Sequence, residues 1–153
     1  MKDIIRIKPH HFVDIITSFG AGNRLVPHPY GHAVHIVAAK VLQDRDIFLE
    51  MELGADDICV PCKHNIDGIC DDTIDTSFRP NAPSSKREWN LIIDRRWCER
   101  LKLQQGDKLT AQEFCERLRD SSGNITDIYQ EIPDELTAER ANKLKSGIKK
   151  FLE

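Results

Sequence analysis

Three of the chain's five cysteines, Cys59, Cys62 and Cys70, fall within twelve consecutive positions, with His64 among them. Thiolates are soft ligands that bind zinc and iron–sulfur clusters, and a Cys-x-x-Cys pair aims two of them at one centre because the turn between is too short to separate them. Pro61 tightens that knuckle, and Asp67-Gly68 offers a chain reversal that swings Cys70 towards the pair. The spacing points to a metal centre with three local ligands rather than to a redox pair and a stray core cysteine. The metal and the fourth ligand stay open. Iron–sulfur clusters typically take four thiolates, whereas structural zinc accepts three cysteines and a histidine, usually drawn from two knuckles. Here there is one knuckle, and His64 follows Cys62 by only two residues, a short spacing for a zinc finger. Cys98, beside the apolar stripe of a later helix, is a distant candidate ligand or an ordinary buried thiol, and Cys115 reads as core next to Phe114 and Leu118.

Five of the six histidines lie between residues 10 and 35. His10 and Asp14 stand one turn apart on the helix expected after Pro9, and such a pair can act as a carboxylate-oriented base or as a ligand with its support. A capping histidine with a solvated aspartate is the plainer alternative. His28 sits in a loop rich in proline and glycine, while His32 and His35 flank small Ala39 on the next helix, where a ligand can approach closely. The candidate catalytic set is therefore His10, His11, Asp14, His32 and His35. Asp56, Asp57, Asp67, Asp71 and Asp72 add negative charge around the thiols, so they are expected to face solvent or to cap turns.

The elements that must position these groups follow from periodicity. Residues 4–8 alternate as a half-buried strand closed by Pro9, and a helix over 10–18 stops at Gly20-Ala21-Gly22-Asn23. A helix over about 31–43 and a second strand over 47–53 come next. Strand, helices, strand permits a right-handed crossover with parallel strands, which brings the histidine turn and the cysteine knuckle to one sheet edge. Residues 71–85 read as an irregular loop. From about residue 86 a helix turns Trp89, Ile93, Trp97 and Leu101 inward, and Thr110 with Glu113 forms a capping box opening a helix to about Arg119. A turn or two of helix is expected before Pro133, then a helix over 137–152 that lays Ala141, Leu144, Ile148 and Phe151 over the core as a lid. The fold class is α+β or small α/β, mostly helical, with a short two-stranded parallel sheet and a metal-binding loop in one domain.

Composition excludes several classes. With 153 residues the chain can bury a core without relying on the metal. A net charge of −3 with scattered basic residues leaves no footprint for nucleic acid or an anionic membrane. No uncharged run reaches spanning length, and residues 1–11 lack the apolar run of a signal peptide. An odd number of cysteines, clustered too tightly for a disulfide framework, suits a reducing, cytosolic compartment.

Lys8-Pro9-His10-His11, Asp56-Asp57-Ile58-Cys59-x-x-Cys62, Gly68-x-Cys70 and a later Leu101-Lys102-Leu103 with Gly106 carry a resemblance. In these the chain resembles an uncharacterised family of small prokaryotic proteins regarded as iron–sulfur binders. The resemblance covers roughly residues 1–120, leaving 121–153 as a helical extension. It implies a cluster, of the [4Fe–4S] type, on Cys59, Cys62 and Cys70, with zinc as the alternative. In that family a cysteine follows the paired histidines where this chain has Asp14, so the fourth position falls to Asp14, to Cys98, to His64 or to an open iron. Two function classes result: an enzyme that acts on a small polar substrate by lyase or desulfurising chemistry, and an electron carrier, redox sensor or zinc-stapled accessory protein that meets a redox partner.

Overall fold

The computed structural model describes residues 4–153. Its centre is a parallel pair, β1 (Ile4–Ile7) and β2 (Phe48–Met51), in register from Ile4 opposite Phe48 to Ile7 opposite Met51. Alternation does the sorting: Ile5, Ile7, Leu49 and Met51 are buried while Ile4 and Phe48 are exposed. The crossover between them is α1 (Pro9–Gly20), a loop, and α2 (Val34–Gln43). Pro9 occupies the first turn of α1, where its missing N–H costs nothing.

The α+β class is as the sequence indicates, but the sheet has three strands rather than two. β5 (Lys108–Thr110) adds to the far side of β2 antiparallel, with Leu109 opposite Leu49. Three residues with one apolar side chain are too few to show a period of two, so the strand is invisible to pattern. A separate ribbon, β3 (Asn65–Ile66) and β4 (Ile69–Cys70), closes through Asp67-Gly68. Both turn residues have positive φ, 51° and 85°, as a tight two-residue hairpin requires, and this is the reversal expected from the dipeptide.

The helix expected from residue 31 begins at Val34, because Gly31 is left-handed (φ 77°) and the chain after it is not yet helical. His32 is therefore a loop residue, and the helical stripe of His32 with His35 does not form. α3 (Lys86–Leu101) buries Trp89, Ile93, Trp97 and Leu101, and Ser85 caps it by accepting the Glu88 N–H. α4 (Ala111–Ser121) starts with both halves of the Thr110–Glu113 capping box. A short 3-10 turn at Ile125–Asp127 precedes α5 (Asp134–Leu152).

The expected lid, α5, is fused to the core. A Cβ added at Gly147 would lie 1.9 Å from the Ile16 carbonyl oxygen, and one at Gly20 would lie 1.9 Å from that of Lys143, so α1 and α5 touch backbone to backbone. Phe12 of α1 then packs on Phe114 of α4 at 4.3 Å and meets the edge of Phe151 at 6.4 Å. Among the described residues no helix is long and apolar enough to cross a membrane.

Candidate metal centre

After β2 the chain turns back along the open edge of β1. The Asp57 N–H donates to the Arg6 carbonyl (3.0 Å) and the Arg6 N–H to the Asp57 carboxylate (2.9 Å), which covers that edge and fixes the knuckle beside it. Asp56 then acts as the joint. Its carboxylate is 0% exposed and accepts the Lys8 N–H at 2.6 Å, His11 Nδ1 at 2.7 Å, and the Ile58 and Cys59 N–H groups at 3.1 Å each. The sequence expectation that the acidic residues face solvent or cap turns fails in its first half here. Asp56 caps the knuckle, but from a buried position that also binds the start of α1.

Burial alone would raise the Asp56 pKa. The His11 ring and the N–H donors outweigh it and hold the carboxyl well below the usual carboxylate range. An ionised carboxylate only accepts, so His11 carries its proton on Nδ1, leaving Nε2 as its free nitrogen. His11, Asp56 and Cys59 offer ligand atoms that all lie within 4.8 Å of one another, the one such group of three among the described residues. A possible metal-binding site of histidine, aspartate and cysteine is thus built where the two parallel strands end. Burial, reinforced by the Asp56 charge, pushes the Cys59 thiol up to about 12, so a cation that binds there must displace its proton.

Cys62 and Cys70 stand outside that 4.8 Å group, yet they line the same cavity of about 720 Å³ as His11, Cys59, His28 and His32. The knuckle is wound by hydrogen bonds from the Val60 N–H to the Asp56 carbonyl and from the Cys62 N–H to the Cys59 carbonyl. Backbone bonds from Ala33 to Ile58 (3.0 Å) and from Lys63 to Tyr30 (2.8 Å) hold the histidine loop against it. His28 and His32 stack at 4.5 Å, and burial followed by the His28 charge keeps the His32 pKa below its ordinary value.

The other candidates are elsewhere. His10 turns away from the cavity and into the fold, its Nδ1 at 2.8 and 2.9 Å from the two carboxylate oxygens of Asp94 on α3. The expected His10–Asp14 pair is absent because Asp94 takes the ring, and Asp14, half exposed, pairs with Arg140 of α5 at 3.0 Å. His35 lines a different cavity, of about 650 Å³, beneath residues 22–27. His64 pairs with Asp71 at 2.8 Å. Cys98 is buried in the core, where burial pushes its thiol up to about 11, and it does not line the cysteine cavity.

Two carboxylates that position histidines, Asp56 and Asp94, had detectable signals. Asp56 stands three residues before Cys59, where a side chain commonly caps a turn, and Asp94 falls beside Ile93 and three before Trp97, on the helix's inner side. A polar residue at such a place needs a buried partner. Comparison of the chain with family models, with curated proteins and with solved structures returns no match.

Proposed function

We propose that the chain is a cytosolic metal protein carrying an iron–sulfur cluster of the [4Fe–4S] type on Cys59, Cys62 and Cys70, and that it is an enzyme acting on a small polar substrate by lyase or desulfurising chemistry. One observation carries this reading: the three half-buried thiols and the Asp56-oriented His11 line a single cavity, and neither Asp14 nor Cys98 does. The donor set fits the group. Tetrahedral zinc, with Zn–S bonds near 2.3 Å, brings its sulfurs to roughly 3.8 Å from each other, whereas a cluster spreads thiolates over separate irons and suits cysteines set further apart. The resemblance to iron–sulfur binders supports the same assignment.

Such a cluster with three protein thiolates supplies a Lewis-acidic iron. The chain's own contribution is positional and acid–base. Asp56 fixes the ring plane and tautomer of His11, so Nε2 is free to take a proton from a substrate seated in the cavity. The stacked His28 and His32 form a second polar wall.

The compact group of His11, Asp56 and Cys59 favours a second reading, in which one zinc ion is held by a carboxylate-oriented histidine and by cysteine, and the protein is a metal-stapled accessory or redox-partner protein without catalysis. Anaerobic purification with optical and electron paramagnetic resonance spectra and iron, sulfide and zinc analysis separates the two. Iron with matching sulfide should be present, should fall sharply in Cys59→Ser, Cys62→Ser and Cys70→Ser, and should persist in Cys98→Ser and Asp14→Ala. Zinc without sulfide, lost in His11→Ala, would establish the second reading. Full metal content in all three knuckle variants would overturn both.

A further inference from the structure

The cavity wall provided by α3 is basic. While Trp89, Ile93 and Trp97 face the core, Arg87, Leu91 and Arg95, at i, i+4 and i+8, face the cavity together with Lys86. Lys8, from the start of α1, and Arg24, from the histidine loop, bring the cationic lining side chains to five, and among the described residues no aspartate or glutamate lines the cavity. The chain as a whole has 25 acidic against 22 basic residues, so this lining departs from the overall balance.

These cations are available. Lys86 pairs with Asp72 at 3.3 Å, but Lys8, Arg24, Arg87 and Arg95 form no ion pair with any carboxylate among the described residues. Lys8, 4% exposed, sets its positive charge beside the Asp56 carboxylate and the Cys59 thiol. Of the lining residues, His32 has a buried Nδ1 without a hydrogen-bond partner, which can donate to an anion in its N–H tautomer, whereas the unpartnered Asn65 Oδ1 can only accept. Leu53, Ile58 and Leu91 supply an apolar patch that suits a carbon skeleton, which inorganic phosphate lacks. The volume lies within the range of small-molecule sites.

We infer that this cavity binds a small organic anion with two or more carboxylate or phosphate charges, gripped by Arg87 and Arg95 beside the metal centre. As the identity of a substrate, the inference rests on the catalytic reading above; as a binding site, it rests on the lining alone. Guanidinium groups bind carboxylates and phosphates through paired hydrogen bonds, so either chemistry satisfies this wall.

Isothermal titration of the metal-loaded chain with tricarballylate, with glycerol phosphate and with glycerol as the neutral control tests it. One of the anions should bind in the millimolar range or tighter, weakening with added salt, while glycerol gives no signal; which anion binds tells carboxylate from phosphate. The double variant Arg87→Gln/Arg95→Gln, at two exposed positions, should bind that anion about tenfold more weakly or worse with metal content unchanged. Binding of neither anion to the metal-loaded chain, or equal binding by the double variant, would overturn the inference. Loss of metal from the double variant without loss of anion binding would also overturn it, by showing that the arginines serve only to offset thiolate charge. Because metal content is measured alongside, anion binding to a chain that holds neither iron nor zinc would leave this site standing and sink only the metal reading.

Discussion

Asp56 concentrates in one carboxylate what the knuckle needs. It stops the backbone turn, seats the start of α1 and sets the His11 tautomer, so Asp56→Asn should cost about 3 kcal/mol in urea unfolding, since the amide cannot accept from all of these donors, and should lower metal content even though no sulfur is touched. An unchanged unfolding midpoint would show that the joint is not a joint. His10 answers to pH instead. Burial lowers its pKa, but the charge and hydrogen bonds of Asp94 raise it by more, so the net shift is upward. The stabilisation is therefore complete below the ordinary histidine pKa of about 6.5 and is lost as pH rises through the raised folded value. The unfolding midpoint of the wild-type chain should fall between about pH 6 and pH 9 by more than that of His10→Gln; parallel profiles would refute the assignment. At this scale the sequence shows the cysteines and the paired histidines, because their spacing is local. It does not show which carboxylate each histidine takes, since Asp94 lies 84 residues from His10 and nearby Asp14 is the more obvious partner.

Among the elements, the long periodic segments are legible and the short ones are not. The stripe of α3 and the capping box of α4 stand in the structure as their patterns require, whereas β5 escapes because tertiary pairing with β2, not its own sequence, makes it a strand. The parallel pairing of β1 with β2, argued from element order, is what brings His11 to Cys59. Packing of α5 on α1 turns on glycine. In an exposed helix Gly→Ala stabilises by roughly 0.5–1 kcal/mol, but at Gly147 the added carbon would meet the Ile16 carbonyl, so Gly147→Ala should instead destabilise by about 1–3 kcal/mol in chemical denaturation. A stabilising effect would mean that the two helices do not touch there. Nothing in the sequence marks Gly147 as a contact point, since a single glycine within a helical pattern reads only as a weak position.

For the molecule as a whole, composition and architecture tell different stories about charge. The net value of −3 and the scatter of basic residues along the chain argue against a polyanion, yet folding gathers Lys8, Arg24, Arg87 and Arg95 from three separate segments around one cavity. Linear spread conceals a focused field, which acts on a small ligand at short range. The placement of α3 has one more consequence, which concerns the making of the protein. Every residue proposed to hold metal lies at or before Cys70, while the part of the basic lining that α3 supplies begins at Lys86. A chain synthesised from its N-terminus presents the knuckle thiols before the helix that will enclose them has been made. The order of synthesis therefore lets metal reach an open knuckle first and lets the cavity close around it afterwards.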